Sequence, residues 1–79
     1  MEIGKVIEYN GFAGYIKGID GKKYLLTNDN INKYVESLKK GDNVSFIPEE
    51  YSTIEISENI ARDIRVLTKD NYNNMKKKQ

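Results

Sequence analysis

The chain has 79 residues, 13 of them Lys or Arg and 12 Asp or Glu, and it contains no His, Cys or Trp. This length accommodates one small domain, and the missing His and Cys exclude disulfides, thiol nucleophiles, histidine general acids or bases and most zinc sites. With a net charge of +1, no apolar run of membrane-spanning length and no signal-peptide pattern, we expect a cytoplasmic protein that is neither a polycation nor an enzyme.

The first third of the chain predicts three short strands joined by tight turns. β-prone runs cover residues 2–9, 13–17 and 22–27, where apolar and aromatic side chains are interspersed with polar ones. Asn-Gly at 10–11 and Asp-Gly at 20–21 separate these runs, and both dipeptides favour turns because their residues tolerate positive φ. These features together indicate a β-meander.

The pattern changes beyond the meander. Apolar residues recur at helical spacing over residues 28–38, a stretch too short for an independent helix, which predicts a short helical turn. A fourth strand is predicted over residues 43–47 and is expected to end at Pro48, because proline interrupts strand pairing. Residues 49–58 are acidic and polar and predict a loop, and residues 60–67 predict the fifth strand.

Five short strands with a crossover after the third predict an all-β fold, namely a five-stranded antiparallel Greek-key barrel of the OB type. Barrel closure suits so small a chain because it leaves little strand edge unpaired. An SH3-like barrel has a similar strand count and is the main alternative. We assign residues 1–67 to the barrel and residues 68–79, rich in Asn and Lys, to a flexible C-terminal tail.

Four sequence blocks occur in the order and at nearly the spacing of a known family. They are Gly-Lys-Val at 4–6 followed by Tyr-Asn at 9–10, Gly-Tyr-Ile at 14–16, Leu-Lys-Lys-Gly-Asp-Asn-Val-Ser-Phe at 38–46, and Ala-Arg-Asp-Ile at 61–64. These blocks resemble the Gly-Lys-Val-Lys-Trp-Phe-Asn, Gly-Phe-Ile, Leu-x-x-Gly-x-x-Val-x-Phe and Ala-x-Asn-Val patterns of the bacterial cold-shock domain. The resemblance covers roughly residues 2–67 and implies the OB fold and single-stranded nucleic-acid binding.

The sequence departs from that family at the stacking surface. Glu8 stands where the family has an exposed Trp, and Ala13 replaces the first aromatic residue of its first RNA-binding motif. The Phe, His and Phe positions of the second motif become Leu25, Thr27 and Asn28. Because stacking contributes about 1–3 kcal/mol per aromatic side chain, we expect weaker binding than in a standard cold-shock protein.

The residues left for such binding are aromatic side chains for stacking and lysines for phosphate contacts. Alternation with core Ile16 turns Tyr15 outward, and Phe12 in its short turn is either an exposed anchor or folded back onto the sheet. The lysines at 76–78 could tether RNA or only solubilise the tail. The candidate binding residues are Lys5, Tyr9, Phe12, Tyr15, Lys17, Lys22, Lys23, Lys33 and Tyr34.

The main hypothesis is therefore a non-enzymatic module that binds single-stranded RNA or DNA, with no cofactor, metal, small-molecule substrate or membrane as partner. A translation-factor-like OB module of the S1 type is a related alternative. A different alternative is a protein-interaction module that uses residues 48–58, where Tyr51, Ile54 and Ile56 are apolar groups that a solvated loop does not need. Ile54 and Ile56 could also pair as a short ribbon.

Overall fold

The structure is a computed structural model that describes residues 1–77. It is mostly β: five strands, one turn of 3₁₀ helix between the third and fourth strands, and a C-terminal helix. The strands are β1 (Glu2–Tyr9), β2 (Ala13–Gly18), β3 (Lys23–Thr27), β4 (Asn43–Ser52) and β5 (Ser57–Val66), the 3₁₀ turn is Asn28–Asn30, and the helix is α1 (Lys69–Lys77).

The five strands form a closed barrel in the order β1-β2-β3-β5-β4, which confirms the predicted five-stranded barrel. Four of the five seams are antiparallel, but β3 and β5 are parallel and meet at the pair Leu25 and Ile60. The prediction of an entirely antiparallel sheet was therefore wrong. The reason is topological: strand directions cannot alternate all the way around a closed ring with an odd number of strands, so one seam must be parallel.

The barrel interior is filled by side chains that alternate along the strands with outward-facing residues. The rings of Tyr24 and Phe46 pack with their centroids 4.7 Å apart. Burial raises the pKa of the Tyr24 hydroxyl, and the 2.7 Å hydrogen bond that this hydroxyl donates to Asp20 raises it further. Tyr24 is therefore a packing residue. The buried apolar residues are Ile3, Val6, Ile16, Tyr24, Leu26, Val44, Phe46, Ala61 and Ile64.

One glycine allows β1 and β2 to approach closely. A Cβ atom at Gly14 would collide with the carbonyl oxygen of Glu8 and lie 2.8 Å from the Cα of Tyr9. The ladder between β1 and β2 also contains a bulge between Val6 and Glu8. A bulge inserts one extra residue and reverses the inward–outward alternation beyond it, which decides where the side chains after Val6 point.

The crossover between β3 and β4 differs from its predicted form. Only Asn28–Asn30 is helical, as a single 3₁₀ turn, and residues 31–42 run irregularly along the barrel. Ile31 and Leu38 still pack against the core, as their apolar character suggests. The predicted short helical turn is therefore present only as this 3₁₀ turn. The helical spacing of apolar residues up to residue 38 produces no helix, because isolated segments of this length gain too little from helix propagation to offset nucleation.

The crossover is held to β5 by Asn32. Its backbone N–H donates to the carbonyl oxygen of Ile64 at 2.8 Å, and its side-chain amide donates to Asp63 Oδ1 at 2.8 Å. Asp63 has a positive φ of 49° in the bulged part of β5, a conformation that Asp tolerates better than most residues. The hydrogen bond from Asn32, together with the nearby charge of Arg65, holds the pKa of Asp63 below its ordinary value.

Residues 49–58 form the distal part of a long β4–β5 hairpin, which we call the arm. Pairing continues through Pro48, opposite Ala61, and ends at Ser52 opposite Ser57. The predicted strand end at Pro48 and the predicted acidic loop were therefore wrong. Beyond Phe46, β4 has β5 as its only strand neighbour within residues 1–77, and proline is tolerated in such an edge strand because half of the edge N–H groups have no partner.

The segment after the barrel forms α1 where the sequence analysis assigned a flexible tail. Thr68 caps this helix, since its Oγ1 accepts a 3.1 Å hydrogen bond from the N–H of Asn71. Tyr72 and Met75 are half-buried on one side of α1, which contacts β1 and β4. The predicted tail residues 78 and 79 lie outside the described residues. Neither helix within residues 1–77 has the length and apolar character that a membrane crossing requires.

Candidate nucleic-acid interface

Three lysines form a row across the outer surface of β1, β2 and β3. Lys5 pairs with Lys17 in the β1–β2 ladder, and Lys17 pairs with Lys23 in the β2–β3 ladder. All three side chains are exposed, and within residues 1–77 none of them lies within ion-pair distance of a carboxylate. Because like charges directly opposite each other destabilise a sheet, this row weakens the fold unless an anion binds to it.

A second row runs beside the lysines. Glu8 pairs with Tyr15, Tyr15 with Leu25, and Leu25 with Ile60 across the parallel seam. The ammonium group of Lys23 lies 4.0 Å from the centroid of the Tyr15 ring, which is a cation–π contact. Together the two rows place on one surface an aromatic ring, apolar side chains and three lysines that form no ion pair within residues 1–77. We call this surface the outer face and define it as Lys5, Glu8, Tyr15, Lys17, Lys23, Leu25 and Ile60.

Phe12 lies in the turn between β1 and β2, at one end of the outer face. Its side chain is 74% exposed, whereas its backbone is fixed on both sides. The Phe12 N–H donates to Asn10 Oδ1 at 2.9 Å, and its carbonyl oxygen accepts a 2.9 Å hydrogen bond from the N–H of Asn28. A large apolar side chain is therefore held in solvent by a turn whose backbone is hydrogen-bonded on both sides.

Tyr9 does not join the outer face. The bulge in β1 turns it inward, opposite Gly14, and its ring packs against the core. Its hydroxyl donates a 2.9 Å hydrogen bond to the carbonyl oxygen of Gly11. Tyr9 is a predicted stacking residue because it keeps an aromatic side chain in the first block of the family resemblance, and the extra residue in the bulge turns it away from the outer face.

The remaining candidates lie elsewhere on the barrel. Lys22 follows the β2–β3 turn and lines a shallow depression together with Glu2 and Glu50. Lys33 and Tyr34 lie on the crossover, where Lys33 Nζ is 5.2 Å from the centroid of the Tyr34 ring and that ring is 81% exposed. The structure therefore brings together only part of the predicted set.

Two apolar members of the surface were missed by the sequence analysis. Leu25 was noted only as a lost aromatic position, yet Tyr24 and Leu26 face inward, so strand alternation alone places Leu25 outward beside Tyr15. Ile60 reaches the same row only through the parallel seam, and nothing local in the sequence indicates that pairing.

A comparison with models of known protein families finds no match, and a comparison with curated proteins finds none either. The arrangement of residues on the outer face is therefore the basis for assigning a function.

Proposed function

We propose that this chain is a non-enzymatic module that binds single-stranded RNA or DNA on its outer face. The observation that carries the proposal is the row of Lys5, Lys17 and Lys23 beside Tyr15, in which no lysine forms an ion pair with the part of the chain that the structure describes. Binding to single strands without strong sequence preference combines a basic surface for phosphates with aromatic rings for bases. The outer face provides lysines for phosphates and the Tyr15 ring for a base on adjacent strands.

The binding mode follows from the contact between Lys23 and Tyr15. An incoming base takes the place of the ammonium group above the ring, and that ammonium group moves to a phosphate of the same nucleotide. An exposed cation–π contact is worth about 0.5–1 kcal/mol, whereas base stacking contributes about 1–3 kcal/mol. The exchange is favourable even before the phosphate contact is counted. Phe12 provides a second apolar contact at the end of the face.

We also propose that the barrel is an OB fold of the cold-shock type. The sheet order β4-β1-β2-β3 supports this assignment, because three consecutive hairpin-connected strands with the fourth returning beside the first define a Greek key. The sequence blocks at 4–6, 14–16 and 38–46 add the resemblance to that family.

The test is fluorescence anisotropy with labelled oligo-U and oligo-dT at 50 and 200 mM salt. Three phosphate contacts to a single strand give a slope near −2 in log K against log salt, so affinity should fall about 20-fold over this range. Phe12→Ala combined with Tyr15→Ala should weaken binding about 30-fold or more, taking about 1 kcal/mol per aromatic as the lower limit.

Tyr51→Ala is the control, because it removes an exposed aromatic side chain from the arm, 54% exposed and remote from the outer face. Absence of binding at low salt, or binding that the double variant leaves unchanged, would contradict the proposal.

A second candidate function is protein binding through the arm. Ile54 is fully exposed, and Tyr51 and Ile56 are more than half exposed, although nothing in the barrel core requires them. A pull-down that recovers one defined protein, lost when Ile54 and Ile56 are both changed to Ser, would favour this candidate. Retention of that partner by the double variant would count against it.

A further inference from the structure

The Tyr15 ring has an anionic neighbour on one side and a cationic neighbour on the other. Glu8 is its cross-strand partner on β1, and Lys23 on β3 lies over the ring. Both neighbours are exposed, and within residues 1–77 the Glu8 carboxylate forms no ion pair. Glu8 is also the one anion on a face otherwise suited to phosphate, so its presence calls for a separate explanation.

The two ends of a nucleotide match these two neighbours of Tyr15. The anionic phosphate suits the cation Lys23, and the hydrogen-bond donors on the Watson–Crick edge of the base suit the anion Glu8. An ionised carboxylate only accepts hydrogen bonds. Guanine presents two adjacent donors to it, N1–H and N2–H₂, whereas uracil presents a single N3–H between two carbonyl oxygens. A carboxylate beside a stacked base therefore discriminates strongly between these two bases.

We propose that Glu8 is a specificity-determining residue that selects guanine over uracil at the nucleotide stacked on Tyr15. The inference rests on the proposed function, since it requires a base on that ring. The phosphate lies toward Lys23 and the base edge toward Glu8. Cross-strand partners have Cβ atoms about 4.5–5.5 Å apart, close to the width of a base, so the carboxylate reaches the edge of a base centred over Tyr15. Adenine and cytosine, with one amino group each, are intermediate.

The experiment compares the affinities of labelled U₈ and (UG)₄ RNA by anisotropy at 50 mM salt. Two good hydrogen bonds to a base edge are expected to favour (UG)₄ about tenfold. A third probe, (UI)₄, carries inosine, which lacks the N2 amino group, and should lose most of that preference. Glu8→Gln should reduce the (UG)₄ preference to within about twofold and should strengthen U₈ binding, because it removes a negative charge beside the phosphates.

Glu55→Gln is the matched control, because it removes the same charge from an exposed position on the arm. It should leave the ratio between the two RNAs unchanged. Equal affinities for the two RNAs in the unaltered protein, or a guanine preference that Glu8→Gln retains, would overturn the role of Glu8 while leaving nucleic-acid binding intact. Failure of all three RNAs to bind would overturn the proposed function itself and this inference with it.

Discussion

Replacing Lys17 by glutamine removes the middle charge of the lysine row, and we expect it to raise stability while it lowers affinity. Lys17 faces Lys5 on one side and Lys23 on the other. We take the ammonium groups of such a pair to be about 7 Å apart, somewhat farther than the Cβ spacing of about 4.5–5.5 Å because both side chains are mobile. This gives about 0.6 kcal/mol of repulsion per pair in water. Screening at 0.1 M salt halves this to about 0.3 kcal/mol. Relief of both pairs should therefore stabilise the barrel by about 0.6 kcal/mol, or roughly 2–5 °C in Tm.

The same substitution removes one phosphate contact. One phosphate contact to a single strand multiplies the association constant by the salt concentration, in M, to the power of about −0.7. Loss of this contact should therefore lower the affinity at 0.1 M salt about fivefold. The slope of log K against log salt should become shallower by about 0.7. The assays are thermal melting and anisotropy with oligo-U. Lys40→Gln, an equal charge change at an exposed position on the crossover, is the control. Lys17→Gln that weakens binding no more than Lys40→Gln, or that lowers Tm, would refute the reasoning.

Three further substitutions test the packing and electrostatics of the barrel. Phe46→Ala empties a fully buried site and should lower the free energy of unfolding, measured in urea, by about 3–5 kcal/mol. A loss below about 1 kcal/mol would show that the core closes around the cavity. Gly14→Ala drives a methyl group into the carbonyl of Glu8 and should cost about 1–3 kcal/mol or more by the same assay, whereas an unchanged midpoint would mean that the strands separate freely. The folded-state pKa of Asp63 is depressed, so its stabilising contribution is present above about pH 4 and is lost as pH falls through the lowered pKa. Below pH 4, Tm should therefore fall more steeply for the unaltered protein than for Asp63→Asn. Parallel plots of Tm against pH for the two proteins would contradict a stabilising role of the Asp63 carboxylate.

Local signals predicted the local parts of the fold. The Asn-Gly and Asp-Gly turns are where the sequence places them, and Gly11 and Gly21 adopt the positive φ values, 97° and 85°, for which glycine is suited. The predicted first strand matches β1 (Glu2–Tyr9) in full. These features depend on the alternation of side chains and on the residue types in the turns, and both patterns can be identified in a single sequence.

Features that depend on distant pairing were not predictable in the same way. The strand continues past Pro48 only because Ala61 and its neighbours pair with it, and the bulge that turns Tyr9 inward depends on how β1 meets β2. The parallel seam is different, because the odd strand number alone requires it in a closed barrel. The predicted strand number alone therefore implies one parallel seam in a closed five-stranded barrel.

The residues of the candidate site also fall into those that local alternation predicts and those whose positions depend on the topology. The positions of Tyr15 and the lysine row follow from alternation about buried residues such as Ile16. Lys22, Lys33 and Tyr34 were selected by residue type alone, and their distance from the outer face depends on the path of the crossover and the turn. Residue type indicates what a side chain can bind, but the topology decides which side chains act together.

The arm has a consequence for aggregation. Beyond the barrel its two strands pair only with each other within residues 1–77, so both outer edges present free backbone donors and acceptors to any other strand. Glutamates at 49, 50, 55 and 58 flank the exposed isoleucines. Arg62 forms an ion pair with Glu49, and we expect repulsion between the other three carboxylates to keep two arms from pairing edge to edge. Replacing these glutamates with glutamine would remove that barrier, and we expect such a variant to form β-rich aggregates through the arm while the barrel edges stay closed.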